Sequence, residues 1–434
     1  MILRARRSCP IRAAAVIGFA FVTLLAAVAR AQVPILPPRP PERVVAVVNA
    51  TVLTAAGPPI VRGTVICKGS KIEQVGAELP APAGAEVIDA RGGYVSPGLV
   101  AIEAAAVGVG GTDGNIADSL DPYQLSLRVA LACGITTANV VDVPFPGFFG
   151  EEVEAISGAG SAVIKLTQGD LEGMLVREPG LNYFAMPGRQ VGLNLFRVRE
   201  SFRKASEHLK ALREAEAKKT QPPRTPPELE PFVTILQNER PTVVTAGEEE
   251  EVDALLEILR EYPFDLILSR PDAAFGVARS LASRRVPVLL KARGADFSFD
   301  FTTPVVDEHG LIPIRRPSAF WELGVSVALL PYRRGVSLDG LAGRDLTAYH
   351  LEAAFAVRGG MSEENALEAI TIVPARLLRI GDRVGSLERG KDADLLVWNR
   401  HPLDFRAFVE KAFINGKLYY EREKSTLFRG IPLK

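Results

Sequence analysis

The sequence predicts an α/β protein: a TIM-like (β/α)8 barrel with a small β-sandwich-like composite domain built from both chain ends. β-Branched runs separated by turn residues occur near both ends, which predicts strands there. In the middle, strand-like and helix-like segments alternate over a length that suits eight βα units. The predicted boundaries are 1–31 for a signal peptide, 32–43 for a linker, 44–96 and 380–434 for the composite β domain, and 97–379 for the barrel.

The composite domain is predicted from short strands in its two halves. In the first half, turn signals at Gly57-Pro58-Pro59 and Lys68-Gly69-Ser70 separate the strand-like runs. In the second half, Asn415-Gly416 between two such runs is typical of a hairpin with a type I′ turn. The predicted strands are residues 44–48, 51–54, 63–67, 71–75, 393–398, 412–414 and 417–420.

The barrel is predicted from strand-like segments that alternate with helical stretches, a pattern that indicates parallel strands. Residues 174–177 form a weaker eighth candidate. The highly charged helix at about residues 199–219 is interpreted either as part of an inserted lid or as a solvated surface helix. The seven stronger strand candidates are residues 99–103, 136–143, 162–166, 242–245, 265–268, 286–290 and 325–330.

Residues 1–31 have the pattern of a secretory signal peptide. Four arginines precede an uncharged apolar stretch at residues 13–29, and Ala29-Arg30-Ala31 offers a small-x-small cleavage site. We therefore predict an exported protein, periplasmic or secreted, whose mature chain begins near Gln32. An uncleaved membrane anchor is the alternative, although the apolar stretch lies at the short end of the range for a membrane span.

The composition excludes several classes of protein. With 47% hydrophobic and 24% charged residues the chain is globular. Its 51 basic residues balance 51 acidic ones, so no overall charge favours nucleic acid, and we expect none as a partner. Three cysteines in 434 residues exclude a disulfide scaffold, and Cys67 and Cys133 are predicted to be small buried side chains.

Three motifs resemble the amidohydrolase superfamily, in its imidazolonepropionase-like branch. Residues 48–52, 86–92 and 96–100 are similar to the family's passage from the sheet domain into the barrel. Residues 360–375 resemble its closing helix. Residues 384–388 and 390–395 resemble its return into the sheet domain, and together these motifs bracket nearly the whole mature chain. The resemblance implies the fold described above.

The resemblance also implies one or two divalent metals at the mouth of the barrel, held by histidines and carboxylates. The family's first strand ends in an Asp-x-His-x-His run, but here those positions hold Ala101, Glu103 and Ala105. Lys165 either matches a lysine that is carboxylated in some members or lies one strand early. The remaining ligand positions hold Thr245, Ser269-Arg270 and Pro331-Tyr332. We therefore predict that the metal site is lost and that the protein has no cofactor.

The four histidines of the chain do not restore a metal site. His208 and His350 lie in predicted helices and His401 lies in the C-terminal return, where surface or packing roles are expected. His309 is near a loop that could reach the mouth, and it is also interpreted as a turn residue.

Most side chains at the predicted strand ends are cationic, which favours a small anionic ligand. The alternative is that several of them point outward as rim residues. We also predict an ion pair between Glu103 and Arg270, with Lys165 or water as the alternative partner of Glu103. The candidate pocket residues are Glu103, Lys165, Thr245, Arg270, Lys291, Tyr332 and Arg333, with Arg293 and Arg334 beside them.

The sequence thus predicts an exported homologue with a degenerate metal site, either a non-catalytic ligand-binding protein or a partner subunit. Its partner would be an active relative or a second copy of the chain. The alternative is an active hydrolase of non-peptide C–N bonds with a metal-independent mechanism that uses Glu103 and Tyr332. A third reading is an interaction protein whose sheet domain and charged helix form the interface.

Overall fold

The structure, a computed structural model, describes residues 42–110, 116–142, 160–186, 191–293, 309–336 and 346–427, with only the backbone for 191–194. The described residues from Arg43 onward belong to one compact unit. None of the helices within the described ranges combines the length and the apolar character needed to cross a bilayer. The signal peptide and linker predicted for residues 1–43 lie almost entirely outside the described residues.

One eight-stranded sheet combines strands from both ends of the chain. Its order is β17-β16-β15-β5-β1-β2-β3. Strand β4 pairs with the first part of β1, and β5 pairs with the last part of the same strand. Strand β5 lies antiparallel to β15, with Val95 opposite Val397, and this pairing joins the two halves. The strands are β1 (Val44–Val52), β2 (Ile60–Lys68), β3 (Lys71–Ala77), β4 (Glu86–Asp89), β5 (Tyr94–Pro97), β15 (Leu395–Trp398), β16 (Val409–Ile414) and β17 (Lys417–Glu421).

The predicted hairpin between β16 and β17 is confirmed. Asn415 and Gly416 both have positive φ, 51° and 71°, as a type I′ turn requires. A Cβ at Gly416 would lie 2.1 Å from the carbonyl oxygen of Gly69, so only glycine fits the close approach of these two turns.

The middle of the chain forms two further sheets. One has the order β6-β7-β8-β9, and the other is parallel throughout, with the order β10-β11-β12-β13-β14. The strands of the first are β6 (Leu99–Ala104), β7 (Ile135–Val141), β8 (Ser161–Lys165) and β9 (Leu175–Arg177). Those of the second are β10 (Asn182–Ala185), β11 (Thr242–Thr245), β12 (Leu266–Ser269), β13 (Val288–Leu290) and β14 (Val327–Leu329).

Helices follow most of these strands, and two of the helices begin with side-chain caps. Glu248 and Glu251 form a capping box at the start of α4, and the Ser362 hydroxyl accepts a hydrogen bond from the backbone N–H of Asn365 in α8. The helices are α1 (Leu125–Ala132), α2 (Val191–Lys218), α3 (Glu230–Gln237), α4 (Glu249–Glu261), α5 (Ala278–Arg284), α6 (Arg316–Glu322), α7 (Tyr349–Arg358), α8 (Glu363–Glu368) and α9 (Ile372–Leu377).

Side chains on these two sheets alternate between two cores. One set packs against the helices, and the other set meets in a single interior cluster to which both sheets contribute, including Val100, Val163, Val243 and Ala328. Residues 369–370 connect the outermost strands. The backbone N–H of Leu329 in β14 donates to Ala369, and that of Val100 in β6 donates to Ile370, both at 2.9 Å.

Two expectations about the middle strands need correction. Strand β8 runs antiparallel to β7, and β9 (the weak eighth candidate) pairs antiparallel with β8 at the edge of that sheet. Strand β10, which the sequence analysis missed, lies beside β11 instead. Its signal was weak because the strand has only four residues, yet Tyr183 and Phe184 after Pro179-Gly180 are typical of a strand start.

Neither of the two cysteines in the described residues forms a disulfide. The prediction of a buried side chain is confirmed for Cys67, whose pKa is raised to about 12 by burial and by the nearby Asp394 carboxylate. Cys133 is only half-buried.

We expect His350 to make the stability of this fold depend on pH. Its side chain packs near Trp398, its Nδ1 has no hydrogen-bond partner in the described structure, and burial lowers its pKa from 6.5 to about 4. The folded state therefore binds this proton less readily than the unfolded chain, and stability falls as the pH drops below 6.5. We expect the His350 contribution to the free energy of unfolding to fall by about 2 kcal/mol between pH 7.5 and pH 5.

Urea unfolding of the wild type and of His350→Leu at both pH values measures this contribution. The variant should lose less stability on acidification than the wild type. Equal losses in the two proteins would show that His350 is not the group responsible.

Candidate functional site

Glu103 reaches the interior of the strands through a β-bulge. Ala101 lies opposite Ala138 and Ala104 lies opposite Val140, so two residues of β6 stand against one residue of β7. All four of these side chains belong to the cluster that packs on the helices. The two intervening residues, one of which is Glu103, therefore turn toward the interior instead of alternating.

The Glu103 carboxylate forms a buried ion pair with Arg334. Nε of Arg334 donates to Oε2 at 2.7 Å, and the backbone N–H of Ala105 donates to the Arg334 carbonyl at 2.9 Å. Both side chains are buried. Among the described residues, Arg334 is the cation within 4.0 Å of Glu103. The prediction that Glu103 pairs with Arg270 is therefore wrong. The reason is strand order: the chain after β14 returns beside the end of β6, whereas Arg270 follows β12.

Asn139 and Tyr183 complete a polar cluster with this ion pair. The Asn139 amide donates to the Ile102 carbonyl at 3.1 Å and to the Tyr183 hydroxyl at 2.9 Å, while its Oδ1 has no partner in the described structure. Burial, and then the negative charge of Glu103, raise the pKa of Tyr183 well above its usual range. The phenol therefore stays protonated at neutral pH. The sequence analysis missed both residues because neither is charged.

Arg270 follows β12 in a conformation that is unusual for its type. Its φ is +61°, in the left-handed region that non-glycine residues rarely adopt, and its side chain is buried. Its backbone N–H donates to the Leu289 carbonyl at 2.8 Å, which holds the conformation in place. Ser269 beside it is buried and Thr245, at the end of β11, is half-buried. Such backbone outliers are concentrated at functional sites.

A second group of cations surrounds Tyr332. Nζ of Lys291 lies 5.4 Å from the centre of the Tyr332 ring, and Cζ of Arg293 lies 5.1 Å from it. Arg293 also pairs with Glu352, which is fully buried and whose pKa is raised by burial although Arg293 opposes the shift. Arg333 is exposed, which agrees with the alternative that some of the predicted pocket residues point outward at the rim. The predicted residues that follow β12, β13 and β14 therefore share one end of the strands.

Lys165 lies at the opposite end of the strands. Because β8 is antiparallel to β7, Lys165 pairs with Thr137 near the start of β7 and not with the residues at its end. Its Nζ lies 2.7 Å from Asp392 and 2.9 Å from Asp394, and it donates to the Asn415 side chain at 2.5 Å. The expectation that Lys165 lines the mouth is therefore wrong, and this lysine ties β8 to the eight-stranded sheet.

The four histidines lie apart from one another. His309 pairs with Glu249 at 2.7 Å near the start of α4, and His208 lies 3.0 Å from the Thr225 hydroxyl. His401 packs edge-on against Tyr94, 5.2 Å between ring centres. Within the ranges that the structure describes, no three His, Cys, Asp or Glu side chains form a group that could hold a metal ion.

A family model matches the last quarter of the chain, and curated relatives match stretches of similar length. A family model described as "Amidohydrolase family" matches residues 333–419. An amidohydrolase of Hapsidospora irregularis is 36% identical over 78 residues, which are 18% of this chain and 8% of that protein. Imidazolonepropionase of Thermoplasma volcanium is 35% identical over 83 residues, 18% of this chain and 20% of that enzyme. The chain thus spans a fifth or less of the length of these curated relatives.

Comparison of whole structures extends the similarity to most of the chain. The crystal structure of an amidohydrolase from Thermotoga maritima superposes with a TM-score of 0.69 at 25% sequence identity. The match covers 87% of this chain and 100% of that one, so it includes the terminal sheet and the middle strands together.

Proposed function

Because this chain belongs to the amidohydrolase superfamily, we propose that it is an exported member whose strand ends bind a small anionic ligand without hydrolysing it. The carrying observation is the buried ion pair of Glu103 with Arg334. In the family that the sequence resembles, the position of Glu103 belongs to a metal-ligating histidine. Here the acidic side chain at that position is neutralised by a guanidinium, which occupies the space beside it.

We also propose that β6 to β8 and β10 to β14 correspond to the family's eight-stranded barrel, from which the chain departs in that β8 runs antiparallel to β7. The interior cluster shared by both sheets supports this, and so do the hydrogen bonds of residues 369–370 to β6 and β14. Between β8 and β10, the backbone N–H of Gly180 donates to the Ser161 carbonyl at 2.7 Å. The mouth of such a barrel is the end at which Glu103, Arg270 and Lys291 lie.

The described residues at this mouth do not supply a donor set that fits a divalent metal. Zinc, iron and manganese sites need several His, Asp or Glu side chains that converge with free lone pairs. Glu103 is held by Arg334, and the family's other ligand positions hold Thr245, Arg270 and Tyr332. Arg270 thus places a guanidinium at a position where the family has a metal-ligating histidine.

The same charges favour an anion. Arg270 is buried, and Lys291 and Arg293 flank Tyr332 at the same end of the strands. Guanidinium groups bind carboxylates and phosphates through paired hydrogen bonds, and they bind more strongly where water is excluded. A small dianion such as a dicarboxylate suits this site.

We expect purified protein to contain no stoichiometric zinc, iron or manganese and to keep its melting temperature in EDTA. Malonate, a small dicarboxylate, should raise the melting temperature of the wild type and of Arg333→Gln, an exposed control. Arg270→Gln should need at least tenfold more malonate for the same rise in melting temperature, because the change removes a buried guanidinium. Metal analysis by mass spectrometry and thermal denaturation measure these outcomes.

One equivalent of tightly bound metal would overturn this proposal. Hydrolysis of an N-acyl substrate that persists in EDTA and disappears in Glu103→Gln would instead support the alternative, a metal-independent hydrolase. Relatives named as hydrolases, such as the amidohydrolase of Hapsidospora irregularis, support that alternative. A role as partner subunit requires a second chain, which size-exclusion chromatography of the purified protein detects.

The proposed export depends on residues 1–31. The arginines before the apolar stretch and the cleavage site before Gln32 support it. N-terminal sequencing of the protein recovered from outside the cytoplasm should begin near Gln32.

A further inference from the structure

A second concave site lies at the other end of the middle strands. A pocket of about 260 Å³ is lined by Pro241, Asp265 and Pro287, which directly precede β11, β12 and β13. The proposed mouth lies where the same strands end, so the two sites are separated by the length of the strands. We call this second site the arginine pocket. Four arginines line it: Arg284, Arg285, Arg376 and Arg379.

The positive charge of the arginine pocket is only partly compensated, although Arg376 interacts electrostatically with Glu368 and Glu388. Asp265 is the carboxylate in its lining, and Arg379 already pairs with it. In the described part of the chain, no carboxylate oxygen lies within 4.0 Å of the guanidinium nitrogens of Arg284, Arg285 or Arg376. Two more arginines lie close by: Arg177 donates to the Leu378 carbonyl, and Arg240 donates to Asn182.

The neighbouring arginines affect one another electrostatically. Burial and the positive charge of Arg379 lower the pKa of Arg177. Burial also lowers the pKa of Arg240. The charge of Glu239 opposes this shift, and the charge of Arg177 makes a smaller contribution in the same direction as burial. Like charges are therefore crowded at this end of the molecule, and a bound anion would relieve their repulsion.

Helix dipoles explain only part of this cluster. Arg284 and Arg376 lie in the last turns of α5 and α9, where a cation interacts favourably with the helix C-terminus. Arg285 and Arg379 lie beyond those turns, and both have a φ of +56°. Glycine or asparagine is favoured at such positions because other residues adopt a positive φ only with backbone strain. Arginine at both positions indicates that the side chain has a role that offsets this strain.

Arginines with a positive φ also occur outside the arginine pocket, but those arginines do not line a common cavity. Arg62 has a φ of +50° on the surface of the terminal sheet, where it pairs with Glu78. It shows that the residue type alone does not make a site. Only at the arginine pocket do two such residues line the same cavity, among the parts of the chain that the structure describes.

The rest of the lining is apolar. Leu259, Phe264, Val286 and Leu377 contribute side chains to the walls. Typical ligand pockets begin at roughly 300 Å³, so this one suits a compact molecule and excludes a nucleotide. Guanidinium groups at the rim match the oxygen atoms of a phosphate, and the walls match a small apolar group.

We propose that the arginine pocket binds a phosphate-type oxyanion carried on a small apolar group, such as an aryl or alkyl phosphate. In this binding mode the arginines hold the phosphate oxygens and the ester group contacts Phe264 and Leu377. The site is independent of the anion proposed for the mouth.

Calorimetric titration of the full-length mature protein with phenyl phosphate tests this proposal. Wild type should bind it saturably, inorganic phosphate more weakly, and phenol not at all. Arg285→Gly and Arg379→Gly should each weaken binding at least tenfold, whereas Arg62→Gly, the matched control with the same backbone conformation, should bind like wild type.

Folding is controlled within the same series. Arg285→Gly places glycine where the backbone favours it, so its melting temperature without ligand should equal or exceed that of wild type. Loss of binding in this variant would then reflect the missing side chain. Equal affinity in all variants, absence of saturable binding, or loss of phenyl phosphate binding in Arg270→Gln but not in Arg285→Gly would overturn the proposal. The last outcome would assign the phosphate to the mouth.

Discussion

Replacing Arg334 with methionine should lower the free energy of unfolding by about 3–5 kcal/mol. The change leaves the Glu103 carboxylate buried without its guanidinium partner, and the low-dielectric interior makes an unpaired charge costly. The effect should be seen as a shift of the urea midpoint at constant m-value. Arg333→Met is the matched control, because Arg333 is exposed one residue away, and it should change stability by less than about 0.5 kcal/mol.

A double-mutant cycle separates the ion pair from other contacts of Arg334. The double variant Glu103→Leu with Arg334→Met removes both charges and should be more stable than Arg334→Met alone. If the two single changes instead add to within about 0.5 kcal/mol, the two side chains are not coupled and the pair has no energetic role.

Lys165→Met should be comparably destabilising, by about 3–5 kcal/mol at pH 7. Lys165 is buried and serves two buried carboxylates, those of Asp392 and Asp394. Asp392 retains Lys71 and Arg383 in the variant, but Asp394 loses its cation. Burial already raises the pKa of Asp394 in the wild type, and loss of Lys165 should raise it further.

The pH dependence of Lys165→Met identifies the stranded carboxylate. A carboxyl group whose pKa is raised in the folded state binds more protons there than in the unfolded chain, so the defect should shrink as the pH falls. Lys71→Met is the control: Lys71 contacts Asp392 at 2.6 Å, but its side chain is 51% exposed, and exposed pairs contribute about 1 kcal/mol or less. A defect of Lys165→Met that is the same at pH 5 and pH 7 would contradict this account.

The sequence was most informative where structure depends on neighbouring residues. Asn415-Gly416 specifies its turn through backbone preferences alone, and the β-branched runs predicted the terminal strands. The fold as a whole was indicated by motifs such as residues 390–395, whose aspartates now prove to be the partners of Lys165.

Features that depend on strand order and direction could not be read from the sequence. Lys165 was expected at the mouth because β8 was assumed to be parallel, and the direction of a strand is not encoded in its own residues. Glu103 was placed correctly at a strand end, but its partner follows from which strands are neighbours. Asn139 and Tyr183 were missed because buried uncharged polar residues resemble ordinary strand residues until their contacts are known.

The hydrogen bonds that residues 369–370 make to β6 and β14 have a consequence for how the chain is assembled. Both strands are synthesised before these residues, and β5 must also wait for β15 near the C-terminus. Until then, the backbone groups at the outer edges of two sheets have no intramolecular partner, and such edges invite association between chains. Completion of the native structure therefore waits for residues 369–370 and for β15, and a partly synthesised chain exposes these edges until both segments are available.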